Sequence, residues 1–314
     1  MHYQFSQIKP AIDACPDLME RLEDGFIRYS QGQAVIPPVG HLAFQNPAGD
    51  THIKYGYLKG DDVFVVKIAS GFEDNTPYGV SNGSGMVLVF SAKTGHPVAI
   101  LADDGYLTAL RTAAAGAICA RHFAPKEVRA IGILGTGEQA RLQLTMLRDV
   151  VACRTVYVYG RNGAKALAYK HRMEQEGYHV TVAATPREVA RSCNLIITTT
   201  ASQRALLYGE DILPGTHITA MGTDAPGKNE IDSSVFPKAA LIIADSKSQC
   251  VDHGDISYAV KNGAISEDSI IELGTALGQH LGRTRDDDIT IADLTGVAIQ
   301  DIVIAKATVE MLRR

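Results

Sequence analysis

The segment AIGILGTGEQARLQ, residues 130–143, constrains the fold more than any other. An apolar run ends at Gly135, and the pattern becomes helical within three residues. Gly135 permits a tight turn, Gly137 lets backbone approach a pyrophosphate, and Ala140 keeps the new helix close to its strand. The helix N-terminus then faces the phosphates. A glycine motif alone says little. Here a strand precedes it, a helix follows it, and a second strand, TVYVY, comes next, which is the context a dinucleotide site needs.

Downstream, the runs HVTVAA, LIITTT, HITAMG and LIIADS alternate with helical stretches. Such alternation predicts a parallel sheet with crossover helices. Pro125 marks the change of texture. Before it, residues 8–30 read as one helix, with Ile12, Leu18, Leu22, Phe26 and Ile27 at helical spacing. A polar loop is expected from Gln31 to Asp50. Strands follow in THIKYGYL, DVFVVKIAS, GMVLVFSA and VAILAD, the last two joined by a hairpin turn at KTG. Residues 107–122 read as a helix rich in small side chains. The tail from Ile291 reads as a loop and an amphipathic helix. The expected class is α/β: a Rossmann doubly wound parallel sheet plus an α+β domain.

Composition narrows the function. The 314 residues are 46% hydrophobic and 21% charged, with a net charge of −5. No basic face is implied, so no nucleic-acid partner is expected. Five scattered cysteines without a CxxC pair read as reduced thiols in a cytoplasmic protein. The N-terminus does not read as a leader, and no run reaches the roughly 18 apolar residues of a membrane span. The DDD at 286–288 reads as a solvated loop. The ten histidines show no ligand spacing, so no metal is expected.

Several polar residues stand out. The second strand of the dinucleotide unit ends at Gly160, Arg161 and Asn162, without the carboxylate that an NAD site usually offers the ribose. Arg161 suits a 2′-phosphate, so NADP(H) is favoured, with NAD(H) as the alternative. Asp224 follows a buried strand at its carboxyl end; it is either a turn residue or an acid/base beside a nicotinamide. Lys67 lies mid-strand among β-branched residues, facing either solvent or a site. Arg111 sits in an almost uncharged helix and needs either an internal acid or a substrate carboxylate. Lys54, in THIKYGY, is a further internal cation.

These features occur within VVKIASGF, TGHPVAILADDGYLTALRTAAAGA, ILGTGEQA, GTDAPGKNEI, the ELG at 272–274 and ADLTGVAIQD. In this order and spacing they resemble the ornithine cyclodeaminase/μ-crystallin family over nearly the whole chain. The resemblance implies a homodimer. It implies a substrate and dimerisation domain of residues 1–124 rejoined by 292–314, and a Rossmann domain of 125–291. Lys67 and Arg111 match substrate-carboxylate positions, with Lys54 beside them, and Asp224 matches the catalytic acid/base. Thr112, Glu138, Gln139, Thr200, Met221, Lys228 and Thr295 fall at or beside cofactor contacts, as do Ala201 and Gly222.

The chain departs from a true cyclodeaminase in three places. The position near Val35 lacks an arginine, Lys54 replaces a glutamate, and Gly160-Arg161 replaces an acidic strand end. The expected activity is therefore reduction of a cyclic ketimine carboxylate in proline metabolism. That means Δ1-pyrroline-2-carboxylate to L-proline, or its six-membered homologue to L-pipecolate. The alternatives are ornithine cyclodeaminase, dehydrogenation or amination at an open-chain 2-oxo acid, and a non-enzymatic NADPH-binding crystallin-like role.

Overall fold

The computed structural model describes residues 1–72 and 75–314. The chain forms two compact units: Met1–Thr112 with Val297–Arg314, and Ala113–Gly296. The division falls after Thr112, inside a helix that runs to Phe123, rather than at Pro125.

The first unit begins with β1 (His2–Gln4), α1 (Phe5–Asp13) and α2 (Leu18–Ser30). The single helix expected over 8–30 is two helices. Pro16 disfavours helical backbone at Cys15 and brings no N–H, so the chain breaks there although the apolar spacing continues. The expected polar loop contains β2 (Ala34–Val35) and β3 (Gly40–Gln45). Then come β4 (Ala48–Leu58), β5 (Val63–Phe72), β6 (Gly83–Ser91), β7 (Pro97–Ala102) and α3 (Tyr106–Phe123), of which the part up to Thr112 belongs to this unit. The sheet order is β1-β7-β6-β5-β4-β2, with β3 also on β4. Its neighbours are antiparallel except β1 on β7.

One face of this sheet carries Val65, Val87, Val89 and Leu101, all buried. The opposite face, by strand alternation, carries Leu42, Phe44, Tyr55, Met86 and Ile100, all exposed.

The second unit contains β8 (Ile131–Leu134), α4 (Glu138–Leu147), β9 (Thr155–Tyr159), α5 (Gly163–Gln175), β10 (His179–Val182), α6 (Pro186–Ser192), β11 (Leu195–Thr198), β12 (His217–Ala220) and β13 (Ala239–Ala244). α7 (Lys247–His253), α8 (Asp255–Lys261), β14 (Ile270–Glu272), α9 (Leu273–Gly278) and β15 (Ile289–Asp293) complete it. The order β10-β9-β8-β11-β12-β15-β13-β14 is parallel throughout. Every residue of β8, β11 and β12 is buried, as strands covered on both faces require, and in β12 the polar His217 and Thr219 bond to each other at 3.0 Å. Each large aliphatic side chain so buried contributes about 1.5–3 kcal/mol. The chain reverses its winding between β8 and β11, and the crevice that this leaves lies at their carboxyl ends.

The last helix, α10 (Ala298–Leu312), belongs to the first unit and packs on α1, α2, β4 and β5. It was expected to be amphipathic. It is instead buried on nearly every side from Ala298 to Val309, because it has neighbours around its whole circumference. Ile291–Asp293, expected as a loop, is the end of β15. Among the described residues no helix is long and apolar enough to cross a membrane.

Candidate active site

In the first unit, strand alternation turns Lys67 inward beside Val65, and its side chain is only 3% exposed. Its amine is 3.2 Å from Asp301 Oδ2. Arg111 donates from Nε to Asp301 Oδ1 at 3.1 Å and from Nη1 to Gln300 Oε1 at 2.6 Å. Both alternatives held open for Arg111 bear on this cluster: the internal acid exists, and the guanidinium keeps donors beyond it. Lys54 lies directly opposite Lys67 in the β4–β5 pair.

Burial pushes Lys67 down to about 7; Asp301 opposes this, while Arg111 and Lys54 add to it. Burial raises Asp301, but the charges of Lys67, Arg111 and Lys54 outweigh it and hold the carboxyl below its ordinary value. Lys67 and Arg111 thus share one carboxylate, and two buried cations against one acid are an arrangement suited to a further anion. Asp301 and Gln300 escaped the sequence reading. The available signal was an acid standing within the apolar run VAIQDIVIA.

In the second unit, Gly135 has φ +123°, and its N–H donates to Tyr159 O at 2.9 Å. Gly137 caps α4, Glu138 and Gln139 form its first turn, and Ala140 is sealed beneath it. A crevice of about 240 Å³ lies here, lined by Gly135, Thr136, Gly160, Arg161, Asn162 and Thr200 among others. None of its lining residues is acidic. At Gly160 a Cβ would stand 2.6 Å from Thr136 Cγ2, so a side chain there would have to displace Thr136. Arg161 is exposed there. The turn, the free helix terminus and the crevice fit a dinucleotide. Asn162 borders the crevice while its Oδ1 caps α5, accepting from Lys165 N at 3.0 Å.

Asp224 lies in the loop after β12. Its side chain is 51% exposed, and Oδ1 accepts from Lys228 Nζ at 2.5 Å. Lys228, expected beside the cofactor, therefore has an internal partner. So do Thr295, which donates to Asp245 Oδ1 at 3.1 Å, Thr112, which donates to Thr108 O at 2.8 Å, and Met221, whose sulfur meets Gln143 Nε2 at 2.6 Å. Gly222 donates its N–H to Glu230 Oε2 at 2.9 Å. Thr200 donates its N–H to Glu230 Oε1 at 2.6 Å, and Ala201 follows it, exposed.

Two further groups bear on the metal expectation. Asp288 accepts from Thr284 and Arg285 N–H groups, so it organises its own turn. His41 and His52, eleven residues apart in sequence, are cross-strand partners with rings 4.7 Å apart. With Asp50 they bring three ligand-type atoms within 4.8 Å of one another, which linear spacing could not reveal.

The sequence model of the ornithine cyclodeaminase/mu-crystallin family matches residues 3–314. The iminosuccinate reductase of Paracoccus denitrificans is 31% identical over 299 residues, covering 94% of this chain and 91% of that protein. An archaeal alanine dehydrogenase dimer with bound NAD superposes with a TM-score of 0.90 at 32% identity, over 99% of this chain and 95% of that one. The Thermococcus litoralis Δ1-pyrroline-2-carboxylate reductase in complex with NADH and L-proline gives 0.91 at 28% identity, over 99% and 97%. The Rossmann-type parallel sheet and the motifs that punctuate it have their place in this comparison, and the chain belongs to the ornithine cyclodeaminase/mu-crystallin family.

Proposed function

We propose that this protein is a nicotinamide-dependent oxidoreductase that reduces the C=N bond of an imine bearing an α-carboxylate. The substrate is a cyclic ketimine acid, Δ1-pyrroline-2-carboxylate or its six-membered homologue. The observation that carries this reading is the buried cluster in which Lys67 and Arg111 share the single carboxylate of Asp301. That excess of positive charge suits one more carboxylate, held in a fixed orientation.

Lys67 and Arg111 hold the substrate carboxylate, and Asp301 keeps both cations in place. The dinucleotide, when bound on the Gly135–Ala140 turn, supplies a hydride to the imine carbon. Asp224 delivers or holds the proton on the imine nitrogen. The balance is imine plus NAD(P)H plus one proton, giving the amine and NAD(P)+. The cofactor is NADP(H) in preference to NAD(H), because Gly160 stands where a ribose-binding acid would, none of the crevice lining is acidic, and Arg161 stands at the crevice.

The relatives act on alanine, iminosuccinate and a pyrroline acid by their names, and all three suit a carboxylate beside a C–N bond. A cyclodeaminase would have to admit a second ammonium group, and Lys54 opposite Lys67 disfavours that. The exposed apolar face with Leu42, Phe44, Tyr55 and Met86 supports a homodimer.

The test is an absorbance panel. NADPH and NADH oxidation is followed with five- and six-membered cyclic imine acids, with pyruvate plus ammonia or methylamine, and with ornithine plus catalytic NAD. The cyclic imine acids should consume NADPH stoichiometrically, and Asp224→Asn should lower kcat at least about a hundredfold. Turnover of ornithine without net cofactor consumption, or near-normal Asp224→Asn, would reject the assignment.

A further inference from the structure

The loop that carries Asp224 and Lys228 has two feet, Thr223 and Glu230, and one carboxylate takes hold of both. Asp255, the first residue of α8, accepts from Thr223 Oγ1 through Oδ2 at 3.0 Å. Through Oδ1 it accepts from the N–H groups of Glu230 at 2.7 Å and Ile231 at 3.0 Å. Glu230 then turns beneath the crevice. Its Oε1 accepts from Thr200 N at 2.6 Å, and its Oε2 accepts from Gly222 N at 2.9 Å and Thr198 Oγ1 at 2.7 Å. One acid joins the ends of β11 and β12, and the other ties down the loop between them and α8.

Both acids are fully buried. Asp255 raises Glu230, while Asp255, Asp245 and Glu230 all raise Asp293. Burial pushes Glu230 up to about 7 and Asp255 up to about 6. Keeping such acids together is costly, and each is held by three donors. Both oxygens of each acid accept, which an amide of the same size could not reproduce because it would turn an NH2 toward one of the donors. What these acids hold is the ground on either side of Asp224, whose own side chain is half in solvent.

We propose that Thr223 and Asp255 are positioning residues for Asp224: their hydrogen bond fixes the foot of the loop immediately before Asp224 and so sets the direction in which its carboxyl is presented. The proposal rests on the reading of Asp224 as the proton-handling group. Thr223 Oγ1 is one covalent residue from Asp224, whereas Glu230 holds the crevice side of the same loop. The two acids therefore divide the work. Loss of the Thr223 bond costs orientation of the acid, and loss of Glu230 loosens Thr200, which lines the crevice, and Gly222, which follows β12.

Thr223→Val keeps the shape and removes the hydroxyl, and Thr223→Ser keeps the hydroxyl. Each is made in the full-length protein, alone and with Asp224→Asn. We measure kcat with the imine acid, NADPH affinity by fluorescence, and the thermal midpoint. Thr223→Val should lower kcat about tenfold, the scale of one buried hydrogen bond, with NADPH affinity within about twofold of the parent. Thr223→Ser should restore kcat, and in the Asp224→Asn background Thr223→Val should cost nothing more. An unchanged kcat in Thr223→Val, or the same tenfold loss in the Asp224→Asn background, would overturn the proposal. A near-normal Asp224→Asn single variant would instead remove the reading of Asp224 itself and the proposal with it. Asp255→Asn is the more drastic variant; because it also releases Glu230 N and Ile231 N, the Thr223 pair carries the decision.

Discussion

Lys67 and Asp301 meet at 3.2 Å, one on a strand and the other in the first turn of the last helix, and neither is more than 3% exposed. Arg111 shares the same carboxylate. Asp301→Asn would leave two buried cations around a neutral amide. Removing one partner of such a pair typically costs about 3–5 kcal/mol. Urea denaturation of Asp301→Asn should show a loss on that scale. Lys67→Met should cost much less, because Arg111 still neutralises Asp301. If the two variants lose equal stability, Asp301 is not the hub of the cluster.

The same pair predicts a pH dependence. Burial first, with Arg111 and Lys54 adding to it, brings Lys67 from an ordinary 10.5 down to about 7. A depressed value means that the folded state binds this proton less tightly than the unfolded chain. Its contribution to stability is therefore fully present above 10.5 and is lost as pH falls through about 7. Carboxylate binding has the opposite need, since it requires the ammonium form. In the free enzyme, kcat/KM for the imine acid should fall as pH rises through about 7. The ratio of wild type to Lys67→Met isolates this limb; a ratio that does not change between pH 6 and 9 rejects Lys67 as a carboxylate ligand.

The dinucleotide half of the fold was legible because its signals are local. Ile131–Leu134 is a buried strand without interruption, and Gly135, Gly137 and Ala140 follow at fixed spacing. The first unit was less so. Its β3 presents His41, Ala43 and Gln45 on one face and exposed Leu42 and Phe44 on the other, so no apolar alternation marks it. The split at Pro16 was hidden by apolar residues that keep helical spacing on both sides of it. The site was legible in its cations and not in its acids. Arg111 and Asp301 are 190 positions apart, and nothing in either local pattern joins them. Glu230 and Asp255 were missed for a related reason: their partners are mainly backbone N–H groups, which no side-chain pattern encodes.

Arg161 stands at the crevice beside Gly160, and no acidic residue lines the crevice there. An exposed guanidinium at that strand end suits the 2′-phosphate, which NADPH carries and NADH lacks. Arg161→Ala should weaken NADPH at least about tenfold while changing NADH by less than about twofold. Fluorescence titration with both dinucleotides reads this directly. Equal weakening of the two would mean that Arg161 contributes general field and not phosphate recognition.

Gly135 is constrained twice. Its φ of +123° is one that side-chain-bearing residues rarely adopt, and a Cβ there would lie 2.3 Å from Thr199 Oγ1. Thr199 cannot easily withdraw, since its N–H and hydroxyl both donate to Leu134 O, at 2.8 and 3.1 Å. Gly135→Ala should therefore destabilise the protein by about 2–4 kcal/mol, part from backbone strain and part from the clash. It should also abolish measurable dinucleotide binding, because the turn must shift to accommodate the methyl group. Adding Thr199→Ala separates the two costs. The double variant should recover the clash portion, seen as a coupling of at least about 1 kcal/mol in denaturation, while the strain portion remains. Full additivity of the two substitutions would show that Thr199 does not confine the turn, and an unperturbed cofactor titration in Gly135→Ala would show that the turn does not carry the dinucleotide.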